Sequence, residues 1–503
     1  MKKYFLLLFF IWLITATHAV NVILNPYFQS HMVLQRDEPI VVWGESDPNV
    51  EFPVFLGDEK KIVKSDENGK WTVKFKKRRA SFSPLTLKAG DIVLEDILIG
   101  DVWICSGQSN MVFPIKNGDD DTTNLSKFGK EMLKIRILSY SGLRLVAKNG
   151  YNESELARCN KNDFFSLKWN KATIDNLQGF SAVATHFGIN LVSKVEVPVG
   201  LVQCAIGGSA INNWIPEEVL RKEKVSADWF STDWLKNENI SAAHRKRGRE
   251  ALKKVLPSSG EYVIDEMKYH FLCEPSFLFE SSFAKISEIN VKGVLWYQGE
   301  ADSETKDAID MYPEFYKMLV NSWRKNFDND KLPFISIQLP SYKLPLWPEM
   351  RNVQFNGAKE NDYCYIVPII DLGENNDIHY KGKKEVGKRA AYIALNNVYD
   401  INVCDFPVYN DYRIKDNLLT LSFKNISKGL YISKDKHSVQ VSVSYKDGVS
   451  DEVEAYLNSK NELVVPLKDE IRTLHYAWKP SLLQSALLYN DDKFPVFPFE
   501  IKF

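Results

Sequence analysis

The chain has 503 residues, 45% of them hydrophobic and 26% charged, with a formal net charge of −1. Its length gives room for two to four domains at roughly 100–200 residues each, and its composition is that of an ordinary globular protein, not a disordered or fibrous one. The balanced charge, with no long basic block, excludes nucleic acid as the main partner, because gripping a phosphate backbone takes clustered Lys and Arg.

In chain order, Lys2-Lys3, the apolar run from Tyr4 to Ile14 and Thr17-His18-Ala19 follow the charged, apolar, small-residue order of a signal peptide spanning 1–19. The apolar run is too short to cross a bilayer, and no Cys near Ala19 invites a lipid anchor. The mature chain is expected to be exported, periplasmic or secreted, and to leave the membrane after cleavage. Residues 20–95 read as an all-β module. Val41-Val42-Trp43, Trp71 to Phe75 and Leu85-Thr86-Leu87 are β-branched and aromatic runs. Turn signals such as Asp47-Pro48 and Asn68-Gly69 separate them. His31 reads as structural.

Residues 96–400 alternate strand and helix, the pattern of an α/β domain with a parallel sheet. Val102 to Cys105 is a short apolar run that opens into Ser106-Gly107-Gln108-Ser109-Asn110, all suited to a tight turn. Such a turn at the carboxyl edge of a sheet is where α/β folds place a nucleophile. Phe180 to Val192 has helical apolar spacing, and Val199 to Ala205 reads as a buried strand ending in Gly207-Gly208-Ser209. Residues 217–256 are highly charged and read as a solvated helical insertion, with His244 to Arg249 as an exposed helix face. Strands are expected at Val291–Tyr297, Phe334–Leu339 and Tyr365–Ile370, each delivering polar residues at its end. Helix Lys383–Val398 then closes the domain. Residues 401–503 are again β-rich, with runs at Leu418–Phe423, Val439–Val443 and Glu462–Pro466. The six Cys (105, 159, 204, 273, 364, 404) show no CxxC spacing, so no zinc site is indicated. Cys105 and Cys204 are expected as buried thiols, and one disulfide is left open without a pairing.

Ser106-Gly-Gln-Ser-Asn-Met111 resembles the nucleophile block of the sialate O-acetylesterase family, a branch of the SGNH (GDSL-like) hydrolases. Ser30 to Arg36, Val42-Trp-Gly44, Gly207-Gly-Ser209, Trp296-Tyr-Gln-Gly-Glu-Ala301, Asp377-Ile-His379 and the C-terminal Leu474 to Phe499 are similar to further stretches of that family. The resemblance implies an α/β, SGNH-type (flavodoxin-like) parallel-sheet hydrolase domain flanked by N- and C-terminal β-sandwich-like modules. It also implies that Ser109 is the nucleophile and His379 its base. The usual position for the orienting acid, three residues before the His, is Asn376 here. Asp377 is therefore taken for that role, with Asp371 or a Ser–His dyad aided by Asn376 or a backbone carbonyl left open. The family pattern places the oxyanion donors at the Ser109 N–H, the Gly208 N–H (beside Gly207) and the Gln298 side-chain amide.

An ester hydrolase needs such a set, because a free hydroxyl is a poor nucleophile without a base and the developing oxyanion needs donors. No metal or organic cofactor is implied. Asn110, Trp214 and Glu300 are added as substrate-binding candidates, Trp214 being equally a core residue. The partner is an O-acetylated sugar or glycan: sialic acid first, with acetylated xylan or another plant polysaccharide as the alternative. An Arg in the pocket would favour the carboxylated sugar. A non-catalytic carbohydrate-binding protein is the rival from another class. A protease or lipase is disfavoured by the lack of a GxSxG elbow. The oligomeric state is not legible.

Overall fold

The computed structural model describes residues 20–119, 125–230, 234–256 and 269–503. The expected signal peptide at 1–19 lies outside the described residues. Seven strands of the largest sheet are numbered here in chain order: β1 (Ile92–Gly107), β2 (Ile135–Ser141), β3 (Ser166–Lys171), β4 (Val199–Ala205), β5 (Gly293–Tyr297), β6 (Phe334–Ile337) and β7 (Cys364–Val367). Their order is β3-β2-β4-β1-β5-β6-β7. All neighbours run parallel except the edge hairpin of β2 with β3. After β1 the chain lays β2 and β3 towards one edge, returns to insert β4 beside β1, and then adds β5, β6 and β7 on the other side, so β1 lies at the point where the winding reverses. Ligands of open α/β sheets bind beyond the carboxyl ends of the strands at such a point.

Strands β4, β5 and β6 are buried at every position, which requires cover on both faces and explains why they read as unbroken apolar runs. The helices of this domain include α1 (Ser109–Val112), α2 (Ala182–Val192), α3 (Ala242–Leu252), α4 (Lys306–Asn326), α5 (Trp347–Glu360) and α6 (Lys383–Val398); α1, α2, α5 and α6 pack directly on the strands, whereas α3 lies against the turn after β4. Helix α2 starts where Ser181 Oγ accepts the Ala184 N–H at 3.0 Å, a side-chain cap on an otherwise orphan donor. It crosses α6 closely at Gly387, where a Cβ would stand 2.6 Å from the Val183 carbonyl oxygen. The α2, α6 and β4 spans coincide with the expected ones to within two residues. The long helices α4 and α5 were not anticipated.

Strand β1 is 16 residues long and belongs to two parts of the molecule. Its first half pairs with Val33–Gln35 and Ser81–Ala89 of the N-terminal β region, its second half with β4 and β5. No break therefore falls near residue 95. The remaining N-terminal strands form a three-stranded sheet of Val22–Leu24, Ile40–Ser46 and Lys70–Phe75, plus a hairpin, Glu51–Leu56 with Glu59–Lys64, joined to Ser81–Ala89. At the other end, a seven-stranded antiparallel sheet spans Val408 to Lys502 with its own core, which also takes in Ile370.

The expectation of a solvated helical insertion at 217–256 is corrected. Among the described residues the segment forms helices Glu217–Leu220, Ala227–Phe230 and Ala242–Leu252, and Trp229, Trp234, Leu235, Ile240 and Leu252 are buried. The apolar residues are too sparse to show a stripe among the charges, yet they pack into the domain's core. All six cysteines are buried and free, in line with the expectation for Cys105 and Cys204. No described helix is long and apolar enough to cross a membrane.

Trp103 of β1 is fully buried and its Nε1 donates to Tyr399 Oη at 3.1 Å. Trp103→Ala is expected to cost ~3–5 kcal/mol, read as a lowered midpoint of thermal unfolding.

Candidate active site

The site follows from register. Gly107 lies opposite both Ala205 and Tyr297, so β4, β1 and β5 end in the same layer. The Gln108 N–H donates to the Tyr297 carbonyl at 2.9 Å, and the Ile206 N–H donates to the Gly107 carbonyl at 3.1 Å. The three following turns therefore leave the sheet side by side. Gly107 has φ 131°, and a Cβ there would lie 2.1 Å from the Tyr297 carbonyl oxygen; only glycine fits so close an approach at this φ. Ser109 then starts the short helix α1, with Gln108 as its N-cap residue. Gly207 comes so near that a Cβ on it would stand 3.5 Å from Ser109 Cβ.

A cleft of about 770 Å³ opens over these ends and is lined by Ser109, Gly207, Gly208, Glu300 and His379, among others. Within the described residues, no backbone acceptor takes the N–H of Ser109, Gly207 or Gly208. Gly208 holds φ 72°, and its carbonyl is turned outward to His244 Nε2 at 2.7 Å. Burial holds His244 below the usual imidazole range despite that bond, so its neutral ring donates to Gly208. The expectation that His244 to Arg249 forms a solvated face is thus corrected: His244 is buried, and both it and Arg247 line the cleft.

His379 sits in the loop after β7, close to α6. Its Nδ1 lies 3.4 Å from Asp377 Oδ1, and the same carboxylate oxygen accepts the His379 backbone N–H at 2.8 Å. Nδ1 directed to Asp377 leaves Nε2 for a proton from the cleft. Burial, with the Lys383 charge, holds the imidazole below its ordinary range; Asp377 opposes this. Asp371, the fallback, is committed elsewhere: its two oxygens accept Arg389 Nη1 and Nη2 at 2.7 and 2.8 Å. Asn376 is exposed.

Three sequence expectations are corrected here. Gln298 is fully buried and does not line the cleft. Its Nε2 donates to Asp302 and lies 3.2 Å from both Gln108 Oε1 and the Ser209 carbonyl, while its Oε1 accepts Tyr312 Oη at 3.1 Å. With both amide hydrogens taken, it braces the three turns from beneath and offers nothing to an oxyanion. Trp214 is buried beneath the site with Nε1 donating to Ser209 Oγ at 3.0 Å, packed edge-on to Trp296, so it is core and not a sugar wall. Asn110 is also fully buried: its Nδ2 donates to Glu300 Oε1 at 2.5 Å and to the Ile378 carbonyl at 3.1 Å, and its Oδ1 accepts from Lys383 Nζ. It ties the serine turn to the histidine loop and does not reach the cleft. Lys383 was missed by sequence reasoning because one Lys in a charged helix start carries no signal. Burial pushes its ammonium down to about 7.

The cleft is thus lined by a hydroxyl, an imidazole and backbone N–H groups that have no backbone acceptor among the described residues. The fold and cleft define an α/β protein whose candidate site lies at the carboxyl edge of a mostly parallel sheet. The chain belongs to the family described as carbohydrate esterase, sialic acid-specific acetylesterase, whose model matches residues 99–232 and 274–396, just over half of the chain. It is 28% identical over 344 residues to the sialate O-acetylesterase of Mus musculus, covering 63% of this chain and 60% of that one. It is likewise 28% identical to the sialate O-acetylesterase of Homo sapiens, covering 56% of its length. The chain thus spans under two thirds of these curated relatives. A crystal structure of a carbohydrate acetylesterase from Xanthomonas citri shares the fold, with a TM-score of 0.75 over 96% of this chain and 100% of that chain at 23% identity.

The His379 ring is expected to titrate below 6.5, because burial disfavours its charged form, and Asp377→Asn is expected to lower the midpoint further by removing the one opposing charge. NMR titration of the ring measures both.

Proposed function

We propose that the protein is a carbohydrate O-acetylesterase, with sialate O-acetylesterase as the specific reading, acting through an acyl-enzyme on Ser109. One observation carries it: Ser109, His379 and the free N–H groups of the serine and glycine turns share a single cleft. Family membership supplies the reaction class. On this reading the large sheet is of the SGNH type, and export, expected from the Lys2–Ala19 segment, belongs to the same proposal.

Ser109 Oγ attacks the acetyl carbonyl while His379 Nε2 takes its proton, and Asp377 fixes the ring with Nδ1 protonated. The oxyanion is held by the N–H groups of Ser109, Gly207 and Gly208; loss of one such donor typically costs ~10²–10³ in turnover. His379 then protonates the departing sugar oxygen. Water, deprotonated by the same ring, attacks the acyl carbon and releases acetate and Ser109. The depressed His379 basicity suits this work, because the neutral ring persists into mildly acidic solution.

Support for an acidic sugar comes from Arg247. Its guanidinium lines the cleft beside Gly208 and has no hydrogen bond or ion pair among the described residues. A substrate carboxylate would supply the missing partner, in the two-pronged geometry guanidinium prefers. Glu300 and Glu304 on the same wall suit hydroxyl donors.

Acetate release by the protein is expected from O-acetylated N-acetylneuraminic acid, with slower release from acetylated xylan. Ser109→Ala is expected to lower kcat on the order of 10⁶-fold. A preference for xylan would keep the mechanism and overturn the substrate. No release from either substrate, nor from an aryl acetate, would overturn the esterase reading.

A further inference from the structure

Glu300 carries an unanswered hydrogen-bonding demand. It is 4% exposed, and while its Oε1 accepts Asn110 Nδ2 at 2.5 Å, its Oε2 is buried with no hydrogen-bond partner among the described residues. Buried polar atoms are nearly always satisfied, so an orphan of this kind in a native structure calls for a ligand, a water or a strained state. The side chain lines the cleft that holds Ser109 and His379. It is also within one residue of both: its partner Asn110 follows Ser109 and donates in addition to the carbonyl of Ile378, which precedes His379.

The groups behind it explain why the carboxylate is kept there. Asn110 Oδ1 accepts from Lys383 Nζ, so one amide stands between the buried ammonium and the buried carboxylate. Lys383 is itself fully buried, with Nζ 5.2 Å from the Phe113 ring centre and 5.3 Å from that of Tyr297. Burial raises the Glu300 carboxyl, and Asn110 and Lys383 on the protein side oppose that shift and favour its charged form. What Oε2 lacks is a donor, not a cation, and the donor that fits without adding charge is a hydroxyl.

We propose that Glu300 Oε2 is the specificity-determining acceptor for a sugar hydroxyl neighbouring the ester carried to Ser109, with Asn110 and Lys383 as the residues that position it. This rests on the esterase reading above and names what that site reads on its substrate: a free hydroxyl beside the acetylated one. An acetyl ester without such a hydroxyl leaves Oε2 unpaired in the closed complex and gains nothing from the residue. Selectivity of this kind is strong where a buried polar group is left without its partner.

Glu300→Gln keeps the shape and the Asn110 contact but turns the Oε2 acceptor into a donor. Two measurements test it: the ratio of kcat/KM for O-acetylated N-acetylneuraminic acid to that for 4-nitrophenyl acetate, and the calorimetric affinity of Ser109→Ala for the acetylated sugar with and without Glu300→Gln. The ratio and the affinity are each expected to fall at least tenfold. An equal loss on both substrates with unchanged affinity would reduce Glu300 to a brace for the turns and overturn the proposal, as would no change in either quantity. Turnover of neither substrate by the unsubstituted protein would fail the esterase reading alone, because the affinity pair still decides the role of Glu300. If Glu300→Gln does not fold, monodeoxy analogues of the acetylated sugar give the same answer with the unsubstituted protein. One of them is expected to lose at least tenfold in kcat/KM or affinity, and a series with no such loss overturns the assignment.

Discussion

Everything at the cleft depends on the pairing of one strand with two neighbours at once. Parallel ladders fix register by evenly spaced backbone bonds, and Ile92–Gly107 is bonded on one side to Val199–Ala205 and on the other to Gly293–Tyr297. A one-residue slip on either side would turn every side chain of the slipped strand to the opposite face, which fully buried strands cannot accommodate. The in-register ends at Gly107, Ala205 and Tyr297 bring three separate turns together without any side chain having to select its neighbour. Gly107 closes the arrangement, since the Tyr297 carbonyl occupies the space a Cβ would need.

Buried polar groups then hold the turns in fixed relation. Gln298 spends its amide on Gln108, Ser209 and Asp302, one group from each turn. Burial raises the Asp302 carboxyl to about 7 although Gln298 and the Ile211 N–H both donate to it. Such networks are stabilising only when every member is satisfied, and here nearly every atom has its partner until the chain of contacts reaches Glu300 at the cleft wall. The Gly207-Gly208 turn is set from the other side. His244 of helix Ala242–Leu252 donates to the Gly208 carbonyl, and the N–H of that same peptide, on Ser209, donates to the Ile206 carbonyl at 3.2 Å, so the end of the glycine turn is held from both sides. A segment that resembles a charged appendage thereby lines the cleft.

The histidine loop is held by a different part of the chain. Its start is pinned where Asp371 pairs with Arg389 and accepts Tyr489 Oη at 3.1 Å, the tyrosine belonging to the C-terminal β region. Nearby, Arg351 Nη2 donates to the carbonyls of Lys479 and Pro480, each at 2.6 Å, and Ser341 Oγ accepts the Leu482 N–H at 2.8 Å. The C-terminal sheet is thus bolted to the loops beside His379.

Much of this was legible in the sequence, for a physical reason. Fully buried parallel strands must be continuous apolar runs, so Val102–Cys105 and Val199–Ala205 announced themselves, and the small polar residues after them could only be turns. Ser109, Gly207, Gly208, Glu300 and His379 were each recognisable from such local chemistry together with the family resemblance, and all five line one cleft. What a side chain does after the turn is another matter. Gln298 and Asn110 read as site residues because they are polar and adjacent to the motif, yet both are spent inside the protein. Trp214 reads equally as wall or core until its indole is seen under Ser209. Arg247 and His244 read as solvent-facing because their neighbours are charged, yet the helix that carries them is folded back over the glycine turn. Local sequence determined which elements form and where the chain turns, since backbone bonding and apolar burial are short-range demands. Which polar atoms are satisfied within the protein and which are left to face a ligand was decided only by tertiary packing, because that depends on partners far apart in the chain, 273 residues in the case of Asn110 and Lys383.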